Sequence, residues 1–336
     1  MLIQSPWQTY TYDNYGNKKT FSYNGTKVAQ NYTDASGNVI RSTDYINNLE
    51  YRASFDSLNR PAFKDVFDTT VTGRNDRWTR SVAYDYDIMN NLSKLVFAYK
   101  DGTHNSTWYT YTDENLPLMT VLNNNESLSF RYDGLNRVTK KILNTDTKVI
   151  TEYAYINAGT KTTNVLSTEI SNAFAYQYTY DNNGNITAID NGEKLSNGTY
   201  RFTSLTGNTY NYDRYNQLTK DTNYITGDIT TYTYDTNGNI TQKEVANGQD
   251  STITAYTYGD SSWGDLLTKY NGQSITYDAI GNPLTYRDGM QLTWQNGREL
   301  ATFTKGTVDV SYTYDTGSLR TSKSVVEDFV STEYNY

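Results

Sequence analysis

Polar and apolar positions alternate along most of this chain with a period of two, and the alternation is carried by tyrosine and threonine rather than by aliphatic residues. The clearest stretch is TYTYDTNGNI at 231 to 240. Residues two apart on a strand share a face, so Tyr232 and Tyr234 form one aromatic stripe while the threonines between them face the other way. Asp235 then opens a four-residue turn. Its carboxylate can accept backbone N–H bonds, and Gly238 at the fourth place tolerates the positive φ that a turn followed by a one-residue bulge requires. The stretch therefore predicts a β-hairpin.

The same signature recurs along the sequence. It opens with Tyr10, Tyr12, Asp13 and Gly16, followed by a looser copy at Tyr32, Asp34 and Gly37. Next come Phe55 with Asp56 and Asn59, Tyr84 and Tyr86 with Asp87 and Asn90, and a degenerate copy at Tyr109, Tyr111 and Asp113. Phe130 and Tyr132 with Asp133 and Asn136 follow. The second half is more regular: Tyr178, Tyr180, Asp181 and Gly184; Tyr210, Tyr212, Asp213 and Asn216; Tyr232, Tyr234, Asp235 and Gly238; Tyr277, Asp278 and Gly281; Tyr312, Tyr314 and Asp315. Asparagine readily takes the left-handed conformation, so its exchange with glycine at the fourth place is conservative. Many of these copies lie about twenty residues apart, the length of one hairpin, and such a period means supersecondary units stacked on one another.

An isolated hairpin is marginal in water, so each unit needs its neighbour. The expectation is an all-β fold of repetitive hairpins in one long, curved or spiralling antiparallel sheet, forming a single body over 1–336. Within it, 1–155 holds less regular repeats, 156–175 is rich in Thr, Asn and Ser without a turn signature and is expected to be irregular, 176–275 holds regular repeats, and 276–336 closes the series. No apolar periodicity of helical type persists beyond about ten residues.

Composition sharpens this picture. Tyrosine, with 34 residues, is far above ordinary usage. Its rings must build the core while each hydroxyl keeps a partner. The formal charge is −8 and no basic cluster occurs, which excludes an electrostatic nucleic-acid footprint. Cysteine is absent, so disulfides and thiolate sites are excluded, and no apolar run is long enough for a membrane-spanning helix. The opening residues lack the basic and apolar regions of a signal peptide, so the expectation is either a piece that is not exported on its own or a part of a longer export substrate.

Candidate chemistry is weak. The repeat aspartates occupy one turn position many times, whereas an active site is needed once, so they read as structural. Carboxylate pairs such as Asp260 with Asp265, or Glu126 with Asp133, lack a distinctive setting. His104 has neither a second histidine nor a cysteine with which to hold zinc. The oxygen-rich run Asp181 to Asn185 lacks the twelve-residue spacing of a calcium loop. Trp7, Trp78, Trp108, Trp263 and Trp294 could stack on sugars, which keeps a cell-wall or carbohydrate-binding surface module as the alternative reading. No enzyme activity, metal or cofactor is expected.

The pattern Y-D-x-x-G-[NR]-[ILV] resembles the YD repeats of the RHS family, which includes bacterial RHS and wall-associated proteins, cocoon-forming toxin-complex subunits and the teneurin shell. The segments from Tyr12, Tyr132, Tyr180, Tyr212 and Tyr234 fit most closely. The stretch from Tyr277 through Trp294 and Gly297-Arg298-Glu299-Leu300 to Tyr314-Asp315 is similar to the region shortly before the RHS-associated core. Gly317 stands one place early there and leaves Ser318 at the fourth turn position, which predicts a different local turn. The resemblance implies a wall of a β-shell, in a larger secreted or bacterial cell-surface protein, that encloses a C-terminal effector domain or another cargo polypeptide; the exposed aromatics keep surface glycans as possible partners. On this resemblance the core itself is expected to be absent from these residues.

Overall fold

The computed structural model describes residues 8–23, 25–73, 77–158, 161–315 and 317–335. Among them the chain is all-β. The strands from Gln8–Tyr12 to Gln273–Ser274 belong to a 24-stranded antiparallel sheet, and those from Gln291–Gln295 to Val330–Asn335 to a second sheet of five. Consecutive strands pair as hairpins, as Ile229–Tyr234 does with Ile240–Asn247 and that strand with Asp250–Thr257. At the strand Ile186–Lys194 the succession branches: its beginning pairs with Asn208–Tyr212 and its end with the short strand Tyr200–Phe202. The helical content of the described residues is the single 3-10 turn Arg287–Gly289.

The chain divides into two compact units, 1–109 with 276–336, and 110–275. The first unit buries few aliphatic residues, among them Val28, Val66 and Val310, together with Tyr314. Its buried polar residues are held by partners. Glu50 lies between Arg41 and Arg52 at 3.0 and 2.6 Å, and both arginines remain half-exposed. Asp44 accepts the backbone N–H groups of Ile46 and Asn47, and the Asn47 amide donates to the carbonyl of Tyr314 at 2.8 Å. That bond ties the two sequence segments of this unit together. Glu299, also buried, accepts from the Asn296 amide at 2.9 Å and the Ser318 hydroxyl at 2.7 Å.

In the second unit the buried residues include Ala175 and Ile275 and the polar Thr151, Ser171 and Asp190. The segment 156–175, expected to be irregular, is strand for most of its length: Val149–Ala158 pairs with Lys161–Ser171, with two register shifts near Tyr155. Polar composition misleads there because threonine and valine are β-branched and suit a strand whether or not a turn signature bounds them.

Aliphatic burial is slight because the sequence offers rings instead. In Ala175–Tyr180 and Ile229–Tyr234 the tyrosines are half-buried and the intervening Thr179 and Thr233 are exposed, the period-two pattern of a sheet face.

Candidate functional site: the repeat turns and their cross-links

The repeat unit ends in a turn built from one carboxylate. At the first copy the Asp13 N–H donates to the Asn17 carbonyl at 2.9 Å and the Gly16 N–H to the Asp13 carbonyl at 3.2 Å. Oδ1 of Asp13 accepts the N–H groups of Tyr15 and Asn17, both at 2.9 Å, and Oδ2 accepts the Asn17 amide at 3.0 Å. Strand pairing slips by one residue at the same point, from Thr11 opposite Thr20 to Tyr12 opposite Lys18. Gly16 has φ +85°, so the bulge needs a residue at ease in the left-handed region.

Asp181 with Gly184, Asp235 with Gly238 and Asp278 with Gly281 repeat this arrangement, as do Asp133 with Asn136 and Asp213 with Asn216, where each asparagine has φ 62°. The side-chain amides of Asn17, Asn185 and Asn239 and the guanidinium of Arg137, aided by backbone N–H groups, hold the carboxyls of Asp13, Asp181, Asp235 and Asp133 below their ordinary value.

Two predicted details differ. In the degenerate copy the carboxylate position belongs to Thr112, not Asp113, and its hydroxyl accepts the Leu116 N–H at 3.3 Å. At Asp315 the turn is of the common kind, not a different one. Ser318 takes the fourth place with φ 61° and the Gly317 and Leu319 N–H groups bind Asp315 Oδ1 at 2.8 and 2.9 Å. The Ser318 hydroxyl gives the buried Glu299 a donor, an interaction a glycine could not supply.

The stripe tyrosines Tyr10, Tyr178, Tyr210, Tyr232 and Tyr312 sit half-buried along their strands, while Tyr12 is 55% exposed. The tyrosine next to the aspartate has a second role. Tyr180 donates its hydroxyl to the Leu166 carbonyl at 2.8 Å, Tyr212 to Ile186 at 2.9 Å, Tyr234 to Leu218 at 2.7 Å and Tyr314 to Leu300 at 3.1 Å. In the Tyr212 and Tyr234 cases the acceptor is the first residue after the preceding repeat's turn. Trp294 takes this place with its indole N–H on the Pro283 carbonyl at 2.7 Å. Burial raises the phenols of Tyr180, Tyr212 and Tyr234 above their ordinary value.

A second cross-link runs between turn tips. At several turns the fifth residue holds its own aspartate and also reaches beyond its own repeat. The Asn185 amide donates to Asp181 Oδ2 and to Asn216 Oδ1, both at 2.8 Å. Asn38 reaches Asn59 in the same way, and Arg60 reaches Asn90 Oδ1 at 2.8 Å. Asn239 and Asn282 find the carbonyls of Gly264 and Gly297. Asparagine at the fourth place of a turn is therefore an acceptor for its predecessor as well as a substitute for glycine. Sequence reading missed this relay; its visible signal is the Asn or Arg that follows the turn.

The turn aspartates thus accept backbone N–H groups and, at most turns, a side-chain amide or guanidinium as well. Among the described residues no cluster of three or more metal-ligating side chains occurs. His104 is exposed at the start of the strand His104–Tyr111. Trp108 and Trp263 are partly exposed, Trp78 and Trp294 half-buried, and Trp7 lies outside the described residues.

No family model matches the sequence, and no curated protein matches it. Solved structures do. The crystal structure of TcdB2-TccC3 without its hypervariable C-terminal region matches 98% of this chain at 14% identity, with a TM-score of 0.51. The chain has the fold of a stretch of that toxin component. TcdB2-TccC3-TEV matches 99% of the chain at 15% identity and TM-score 0.49, and the Photorhabdus luminescens Tc holotoxin pore 98% at 15% and 0.48. The chain spans 22% of the first of these, 21% of the second and 22% of the third. Toxin-complex subunits are among the proteins whose repeats the sequence resembles, so motif and fold lead independently to one architecture.

Proposed function

We propose that this chain is a structural wall segment of an RHS-type β-shell, which in a longer secreted or surface protein encapsulates a C-terminal toxin or effector domain and helps deliver it. The observation that carries the reading is the stitching of successive repeats, tyrosine to carbonyl across strands and amide to amide across turns. Such cross-links make a continuous wall, and nothing in a reacting centre would require their repetition. The fold shared with TcdB2-TccC3 supports the same role. The work is mechanical, not catalytic.

The test is to express the chain within its longer open reading frame, together with whatever domain follows, and to digest the product with protease. A downstream domain that stays intact and co-purifies with the repeat body after cleavage supports encapsulation. A downstream domain digested as fast as when it is expressed alone overturns it.

A further inference from the structure

We propose that the cleft between the turns Asp213–Gln217 and Asp235–Asn239 is a receptor site for a guanidinium group, the arginyl side chain of another polypeptide segment. The cleft has a volume of about 840 Å³, and Asp213, Arg214, Tyr215, Gln217, Tyr234 and Gly238 are among its lining residues. It lies where the turn-to-turn relay is broken. Gln217 stands at the fifth place, and its amide nitrogen comes within 3.2 Å of where a Cβ on Gly238 would be. Oδ1 of Asp213 accepts the N–H groups of Tyr215 and Gln217, but no side chain among the described residues donates to Oδ2.

The chain itself defines what fits this niche. At two other turns the fifth residue is arginine. Arg60 donates to Asp56 Oδ2 at 2.7 Å with its guanidinium 4.2 Å above the ring of Tyr86, and Arg137 donates to Asp133 Oδ2 at 2.8 Å, 4.4 Å above Tyr155. Tyr86 and Tyr155 donate their hydroxyls to Pro61 and Val138, the residues that follow those arginines. Tyr234 donates to Leu218, the residue that follows Gln217. Asp213 Oδ2 and the face of Tyr234 therefore correspond to the two walls that hold a guanidinium elsewhere in the same chain, and here the chain supplies none. Arg214 is engaged with Tyr215, lying 4.6 Å above its ring and donating to its hydroxyl. A planar, always-charged group with several donors suits a carboxylate oxygen beside an aromatic face, whereas a neutral urea of the same shape forfeits the charge-assisted bond and the cation–π attraction. The site stands whether or not the repeat body encloses a passenger.

The experiment titrates Nα-acetyl-arginine amide into the full chain and follows the backbone amides of Tyr215, Gln217 and Gly238 by NMR, with Nα-acetyl-citrulline amide as the neutral counterpart. Saturable shifts are expected with the arginine compound and binding at least about tenfold weaker with citrulline. Gln217→Arg supplies the guanidinium in cis, as Arg60 and Arg137 do, and is expected to keep the thermal midpoint at or above that of the parent while abolishing the shifts. No saturable shifts, equal binding of the citrulline compound, or undiminished binding to Gln217→Arg would each overturn the assignment.

Discussion

The hydroxyl of Tyr234 donates to the carbonyl of Leu218 at 2.7 Å, joining one repeat to the residue that leaves the turn of the previous one. The bulge at that turn shifts the register between Asn211 and Tyr212, and a neighbouring phenol satisfies the carbonyl that follows. Phenylalanine would keep the ring and lose the donor. Tyr234→Phe is expected to lower unfolding stability by about 0.5–1.5 kcal/mol, the net worth of one part-buried hydrogen bond. Tyr12→Phe, on an exposed ring, should change it by less than about 0.5 kcal/mol. Urea unfolding of the two variants compares them directly, and equal effects would deny the latch.

The relay between turn tips predicts coupling, not just loss. Asn185 donates to Asn216 Oδ1, so Asn185→Ala and Asn216→Gly should be non-additive by about 0.5–1.5 kcal/mol in a double-mutant cycle. Asn216→Gly alone carries two opposing terms, because glycine is more comfortable at φ 62° while the acceptor is removed. The cycle cancels the backbone term. Additivity within error would mean the amide bond contributes nothing to stability.

The turns and stripes were legible in the sequence because each rests on a short local rule: aspartate at the start of a turn, glycine or asparagine three residues on, tyrosines two apart. The latch and the relay were not. They join Tyr212 to Ile186 and Asn185 to Asn216, and such pairs depend on strand register, which local chemistry does not state. The strand Lys161–Ser171 was hidden for a related reason: its threonines look like loop residues in a list and like strand residues in a sheet. At Ser318 the missing glycine suggested a new turn, yet the hydroxyl is itself the explanation, since Glu299 needs its proton.

Both ends of the pH scale should weaken the fold, with opposite signs of proton linkage. Burial, reinforced by Glu299 and Glu169 respectively, raises Tyr23 and Tyr178 from 10.0 to about 12. Above pH 10 the unfolded chain releases phenolic protons that the folded chain retains, so their contribution is complete below pH 10 and is lost as pH climbs through about 12. The turn carboxyls of Asp13, Asp181 and Asp235 are lowered from 3.8, so their contribution is present above that value and is lost as pH falls through the lowered values. Urea midpoints should form a plateau between these limits. Phenol absorbance should show part of the tyrosine titrating late, together with unfolding.

Two glycines separate close packing from chain flexibility. A Cβ built on the buried Gly207 would stand 2.1 Å from the carbonyl oxygen of Ile189, backbone that belongs to the neighbouring strand. The pair cannot separate without disturbing the bond from the Tyr224 N–H to the Gly207 carbonyl at 2.8 Å. Gly207→Ala is therefore expected to cost about 2–3 kcal/mol or more, as overpacking against fixed backbone does. Gly134 meets nothing within 4 Å and needs no positive φ. Gly134→Ala should be neutral or stabilise by up to about 1 kcal/mol, because alanine restricts the unfolded chain. Thermal and urea unfolding of the two variants should thus move in opposite directions or by very different amounts. Equal behaviour would mean that the strand Asn208–Tyr212 does not lie against Ile186–Lys194 as described.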